Sequence, residues 1–243
     1  MRILIIRHGD PYYPTDSLTE KGQREAALLA EKLKNEGISE IYVSPHGRAK
    51  LTAKPTADAL GATPVVLDWL REFPAQLAWE YNTDYYQNMH SGWNMPPELW
   101  VGDPDIYDNQ KWRQSKLLEG SKIVETYDYV TAKFDEFMAS HGLVRDGGQW
   151  NITERADMDA TSALFCHFGL GTSLIAHVLN MPLIPIWNSV FLPTSSVTTL
   201  YMEKHIDARP IAHGIFCGIG DTSHLFAGSE PISCSGLHAT VLR

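Results

Sequence analysis

Positive charge is scarce in this sequence: 20 Lys and Arg stand against 29 Asp and Glu, a formal net charge of −9. A nucleic-acid ligand needs a basic surface that neutralises its phosphates and releases counterions, so that class of partner is not expected, and only a local basic pocket is left open. Cysteine is sparse too. Cys166, Cys217 and Cys234 are odd in number and lie in or near apolar stretches, which fits reduced thiols in the cytoplasm rather than a disulfide framework. Long hydrophobic runs are missing as well. Ile3-Leu4-Ile5-Ile6, between Arg2 and Arg7, is too short for the apolar core of a signal peptide. No stretch reaches the ~20 apolar residues of a membrane span, and Pro182 and Pro185 break up the nearest candidate. No membrane partner is expected. Internal repeats, low-complexity tracts and an interdomain linker are likewise not found.

What is present is core material. Of the 243 residues 44% are hydrophobic and 20% charged, ordinary for a globular chain, and α/β domains of this length often stay single. Short apolar β-rich runs alternate with amphipathic helical periods, the pattern of βα units around a sheet. Strands are expected at Arg2 to Arg7, Glu40 to Ser44, Pro64 to Leu67, Ala163 to Cys166, Ser196 to Glu203 and Ile211 to Cys217. A helix from Thr19, its N-cap, to Asn35 carries Ala26, Leu29, Ala30 and Leu33 on one face. A second follows Arg48 to Gly61, with Pro55 expected to bend it or mark a late start. A third spans Ser121 to Ser140, with Ile123, Tyr127, Val130, Phe134 and Phe137 on one face. The fourth starts near Gly171, with Leu174, Ile175, Val178 and Leu179 inward.

Two segments break the alternation. The stretch 73–119 holds Trp79, Tyr81, Tyr85, Tyr86, Trp93, Trp100, Tyr107 and Trp112 without a sustained period, and a stretch this long is usually functional or partly helical. It serves equally as core filling or as the wall of a pocket. The second segment, 143–160, contains Asp146-Gly147-Gly148 between Val144 and Trp150, a small hairpin.

Chemistry-bearing residues fall at strand ends, where open α/β sheets bind ligands. Arg7-His8-Gly9 follows the first strand. Ser44-Pro45-His46-Gly47-Arg48-Ala49, with Thr52-Ala53 after it, follows the second and opens a helix. Arg71-Glu72-Phe73 follows the third. Phe165-Cys166-His167-Phe168-Gly169 ends a later strand and precedes a helix whose free N–H groups favour an anion.

These four stretches, in this order from Arg2 to about Glu203, resemble the histidine phosphatase superfamily, also called phosphoglycerate mutase-like. The resemblance implies a three-layer α/β/α sandwich with a mixed, mostly parallel sheet: one domain over 1–243, with a cap insertion at 73–119 and a small hairpin insertion at 143–160. It implies that His8 is the nucleophile, that Arg7, Arg48 and His167 clamp the phosphoryl oxygens, and that Glu72 is the general acid. Each residue type suits its role. A neutral imidazole is nucleophilic at pH 7, arginine forks match phosphate oxygens, and a partly desolvated carboxylic acid can protonate a leaving alkoxide. The scheme needs no cofactor and no metal, and its substrate is a small phosphorylated metabolite. The implied activity is hydrolysis of a phosphate monoester through a phosphohistidine. A phosphomutase or phosphotransferase, and a non-catalytic phospho-ligand or protein-binding module, are the alternatives.

The sequence departs from the family pattern in three places. Asp10-Pro11-Tyr12-Tyr13 stands where many members carry a threonine and, later, an asparagine that touches phosphate. The Gly-Trp-Asp segment of phosphoglycerate mutases is not found between Asp10 and Thr19. His167-Phe168 replaces the histidine-aspartate pair of the acid phosphatases, which leaves Glu72 as the candidate acid. Asp10 reads as a turn residue before Pro11 rather than a second acid, and Cys166 as a packed core thiol. His213 and His224 lack the closely spaced partners of a metal site. Gly218-Ile219-Gly220-Asp221 is a glycine pattern without a P-loop lysine.

Overall fold

The computed structural model describes residues 1–82, 89–204 and 209–236. The chain opens with β1 (Arg2–Arg7), β2 (Pro11–Tyr12), β3 (Ser17–Leu18), α1 (Glu20–Leu33), β4 (Glu40–Val43), α2 (Gly47–Leu60) and β5 (Val65–Val66). Next come β6 (Gln76–Tyr81), β7 (Met89–Ser91), α3 (Ile123–Ser140), β8 (Leu143–Asp146), β9 (Gln149–Ile152) and β10 (Thr161–Cys166). It closes with α4 (Phe168–Val178), α5 (Leu183–Ser189), β11 (Val197–Lys204), β12 (Ile211–Asp221) and α6 (Ser223–Ala227).

An 8-stranded sheet in the order β5-β4-β10-β1-β11-β12-β9-β8 forms the middle layer. β5, β4, β10 and β1 pair in parallel; every later neighbour is antiparallel, so β12 and β8 share the direction of that quartet and only β11 and β9 oppose it. The sheet is mixed, with most strands pointing one way. Side chains of β1 alternate between two cores, as a strand covered on both faces requires. Ile3 and Ile5 join the core under α3, α4 and α5; Leu4 and Ile6 join Leu29 and Leu33 of α1 and Ala49, Ala53 and Ala57 of α2.

Local signals account for the element ends. Thr19 caps α1, its Oγ1 accepting from the Gly22 N–H at 3.0 Å. α2 begins at Gly47 and runs through Pro55. The bond that Pro55 cannot make falls opposite Leu51, an exposed residue whose carbonyl water can satisfy. The strand expected at Pro64 to Leu67 shortens to two exposed valines at the sheet edge. α4 starts at Phe168, three residues before Gly171, and Leu179, expected to face inward, is instead the exposed residue that ends it.

The hairpin forms as expected, Gly147 taking φ +61° in the two-residue turn. β9 pairs with β12, so the hairpin extends the main sheet. Gly218-Ile219-Gly220-Asp221 lies inside β12, next to an irregular register with β11. In 73–119, a small β6–β7 sheet and four 3₁₀ turns replace long helices. Tyr81, Trp100 and Trp112 are buried there, and Trp112 meets Tyr127 of α3 edge-on at 5.2 Å. Tyr85 and Tyr86 lie outside the described residues. No helix among the described residues is long and apolar enough to cross a membrane.

Candidate active site

The first histidine sits one residue beyond β1 and is almost fully buried. The His8 N–H continues the parallel ladder by donating to the Cys166 carbonyl at 3.0 Å, and its own carbonyl accepts from Ser195 N–H at 3.0 Å. Its Nδ1 lies 2.7 Å from the Gly9 carbonyl. A carbonyl only accepts, so Nδ1 carries the proton and the lone pair is on Nε2. Gly9 is held in turn: its N–H donates at 2.9 Å to Thr52 Oγ1, whose hydroxyl donates at 2.8 Å to the Arg48 carbonyl. Burial, then Arg7 and Arg48, push the His8 pKa well below the ordinary 6.5, outweighing the Gly9 bond, so the ring is neutral at pH 7.

His167 follows β10 directly, with its ring 5.1 Å from that of His8. Arg48 Nη2 approaches its Nδ1 at 3.2 Å, and a guanidinium only donates, so the His167 proton is on Nε2, which meets Ser44 Oγ at 2.8 Å. Burial and then His8 and Arg48 keep His167 neutral as well. The other face of Arg48 is occupied by Asp16, whose Oδ1 accepts from Nη1 at 2.5 Å while Oδ2 takes the Gly47 N–H at 2.6 Å. Arg7 is held by main chain instead. Its Nη1 donates to the Leu192 carbonyl at 2.6 Å and its Nη2 to Ser235 at 3.0 Å, and its guanidinium lies over the rings of Phe168 and Phe191 at 5.5 and 5.7 Å. The Nε–H groups of both Arg7 and Arg48 are buried and have no partner among the described residues.

The N-terminus of α4 was expected to favour an outside anion, but a carboxylate of the chain occupies it. Glu72 Oε1 accepts from Gly169 N–H at 3.1 Å, Leu170 N–H at 3.3 Å and Phe73 N–H at 2.8 Å. Three N–H groups and two arginines favour ionisation, yet burial outweighs them and raises the Glu72 pKa above its ordinary 4.5. Although the residue is partly exposed, its Oε1 is surrounded by these three donors.

His8, Arg7, Arg48, Glu72 and His167 therefore converge at the ends of β1, β4, β5 and β10. Asp10 does not join them as an acid. Its carboxylate is taken up by Thr19 Oγ1 at 2.8 Å and Ser233 Oγ at 2.5 Å, and its N–H by buried Glu25 at 2.8 Å. Cys166 is a core thiol, its pKa pushed up to about 12 by burial. His213 faces Glu203 on the surface, and His224 meets Ser195 Oγ at 3.0 Å. Among the described residues, no group of three or more His, Cys, Asp or Glu is placed to hold a metal ion. Sequence reasoning missed Asp16 on Arg48 and the stretch from Ser233 to Gly236 beside Arg7; no local pattern marks either.

Comparison with known proteins identifies the family. The profile of the histidine phosphatase superfamily (branch 1) matches residues 3–208, and the chain belongs to that superfamily. Among its curated relatives are proteins named probable phosphoglycerate mutase GpmB from Yersinia pestis (strain Pestoides F) and Yersinia pseudotuberculosis (serotype O:1b). Each is 40% identical over 81 residues, a match that spans 30% of this chain and only 38% of the relative's length. Similar solved structures include phosphoserine phosphatase of Entamoeba histolytica in complex with 3-phosphoglyceric acid, at TM-score 0.59, 17% identity and coverage of 92% of this chain and 98% of that one. Mycobacterial glucosyl-3-phosphoglycerate phosphatase aligns at TM-score 0.58 and 21% identity over 91% and 99% of the two chains. At these identities the structural likeness establishes a shared fold.

Proposed function

We propose that this protein is a phosphatase that hydrolyses a small-molecule phosphate monoester through a phosphohistidine on His8, with neither metal nor cofactor. The observation that carries the reading is the state of His8: a neutral ring, pinned through Nδ1 to Gly9, with its lone pair on Nε2 and the charges of two buried arginines, Arg7 and Arg48, acting on it. In the first step Nε2 attacks phosphorus, the bond to the leaving oxygen breaks, and Glu72 gives its proton to the departing alkoxide. In the second, water attacks the phosphohistidine, Glu72 takes the water proton, and the P–N bond breaks to return the neutral imidazole. Arg7 and Arg48 meet the charge on the transferring group with donors whose charge does not depend on pH, and their unpartnered Nε–H groups suit an anion. His167, whose nitrogens are engaged here by Arg48 and Ser44, joins the clamp by exchanging the Ser44 bond of its Nε2–H for a phosphoryl oxygen. We read residues 1–243 as one cytoplasmic domain in which 73–119 is the cap.

Turnover of p-nitrophenyl phosphate that survives dialysis against a chelator and is inhibited by vanadate supports this reading. Loss with chelator and recovery with a divalent ion contradicts the metal-free scheme, and no turnover at all favours a binding module. A second reading, phosphomutase, draws on the likeness to the GpmB proteins. Product analysis with phosphoglycerates separates phosphoryl transfer from release of inorganic phosphate.

A further inference from the structure

Gly169 lies in the first turn of α4, and a Cβ built on it would sit 2.1 Å from Cζ3 of Trp93 and 3.0 Å from Oε1 of Glu72. Only glycine leaves room there, because the indole edge from the cap and the carboxyl from the strand-end loop meet over the same point of the helix. Trp93 is held in that place from both sides in sequence. Asn188 of α5 donates through Nδ2 to the Gly92 carbonyl at 3.1 Å and accepts through Oδ1 from the Met95 N–H at 2.8 Å. The neighbouring Trp187 meets the Trp93 ring edge-on at 5.3 Å and the Phe73 ring at 4.8 Å, while its Nε1–H donates to the Gly169 carbonyl at 3.2 Å. Phe168, 5.6 Å from Trp93, closes another side.

We infer that Trp93 is a positioning residue for Glu72: the cap seats this indole against the carboxyl and keeps water from it. The inference rests on Glu72 being the general acid of the proposed reaction. The charged and polar groups around that carboxyl all oppose protonation. Arg7 of β1 and Arg48 of α2 act on it through their charge, and the N–H groups of Phe73, Gly169 and Leu170 donate to it; His8, His167 and Cys166 are neutral at pH 7. Desolvation is the force on the other side, and it depends on an unbroken apolar wall. The rings of Phe73, Phe168, Trp93 and Trp187 pack on one another beside the α4 turn that holds the carboxyl, and Trp93 is the ring that meets Glu72 over Gly169. Its removal admits water, after which the arginines and the helix N-terminus favour the carboxylate.

The test is the pH profile of single-turnover phosphoenzyme formation with an alkyl phosphate and with p-nitrophenyl phosphate. It compares the full-length wild type, Glu72→Gln, Trp93→Ala, Trp93→Phe and Asn188→Ala. In Trp93→Ala the basic limb for the alkyl substrate should move to lower pH. The alkyl rate at neutral pH should then fall roughly tenfold, as one unit of pKa implies, while p-nitrophenyl phosphate, whose leaving group barely needs a proton, changes less than about twofold. Trp93→Phe should restore most of the alkyl rate, and Asn188→Ala should shift the limb the same way by less. If Glu72→Gln flattens the limb but Trp93→Ala leaves it in place, the inference is wrong and the acid role stands. If Glu72→Gln slows both substrates equally, the acid role itself fails and the inference falls with it. If circular dichroism shows Trp93→Ala unfolded, Asn188→Ala decides by the same criterion, a shifted limb supporting the role and an unmoved one refuting it.

Discussion

The strand-end loops and the proposed cap, 73–119, are held largely by different physics. At the ends of β1, β4 and β10 each functional side chain is fixed by buried or partly buried hydrogen bonds of defined direction: Gly9 on His8, Ser44 and Arg48 on His167, Asp16 on Arg48, and Leu192 and Ser235 on Arg7. In the cap, the 3₁₀ turn that carries Trp112 packs on Tyr127, and the loop that carries Trp93 packs that ring on Trp187 while Asn188 ties its backbone. Directional bonds set tautomers and donor positions to within the tolerance that phosphoryl transfer needs, whereas ring packing sets volume and dryness. The comparison predicts that changes at the strand ends alter rate more than stability, and changes in the cap core do the reverse.

Glu72→Gln is expected to give the largest separation of the two. With an alkyl phosphate the rate should drop by roughly 10²–10⁴-fold, with p-nitrophenyl phosphate far less. Single-turnover kinetics on both substrates measures this, and equal slowing would assign Glu72 to positioning. Next in size is Trp112→Ala in the cap. Emptying this fully buried site should cost about 3–5 kcal/mol of stability in urea unfolding, while kcat of the protein that remains folded stays within a few-fold. A large kcat loss at unchanged stability would break the comparison. Arg48→Lys follows. An ammonium cannot reproduce the fork that reaches Asp16 and His167 together, so kcat should fall by about 10² with circular dichroism unchanged.

The smallest effect is on stability against pH. His8, His167 and His224 all have folded pKa values below the ordinary 6.5, that of His224 at about 4, through burial. The unfolded chain then binds more protons than the folded one once pH drops below 6.5, so the contribution of these rings is full above that pH and is lost as pH falls below it, for His224 down to about 4. Glu72 and Glu25 carry the opposite sign. Their raised values favour the fold at low pH and are lost as pH rises through them, which partly offsets the histidines. Melting temperatures at pH 7.5 and 5 should fall in that order for the wild type, and the fall should shrink in His224→Gln.

How much of this was legible in the sequence follows the same division. β1, the face and cap of α1, the hairpin at Gly147 and the four motif stretches are local patterns, and the structure carries each. Leu179, the length of β5 and the start of α4 were misread because solvent exposure, an edge position and the Glu72 carboxylate decide them, and none of these is local. Asp16 and Ser235 reach the arginines from 32 and 228 residues away in sequence, separations at which no spacing rule operates. The cap was unreadable for a further reason. Its 3₁₀ turns leave no helical period, and a tryptophan that fills the core, such as Trp112, looks in sequence like one that reaches the site, such as Trp93.

The central claim, that His8 carries the phosphoryl group, is tested most directly by trapping the protein during steady turnover and locating the added phosphate by mass spectrometry. The account predicts an acid-labile, base-stable phosphoenzyme on His8 that vanishes in a folded His8→Ala protein together with turnover. A phosphoenzyme that persists in His8→Ala, or a phosphoryl group found on another residue of the wild type, would contradict it.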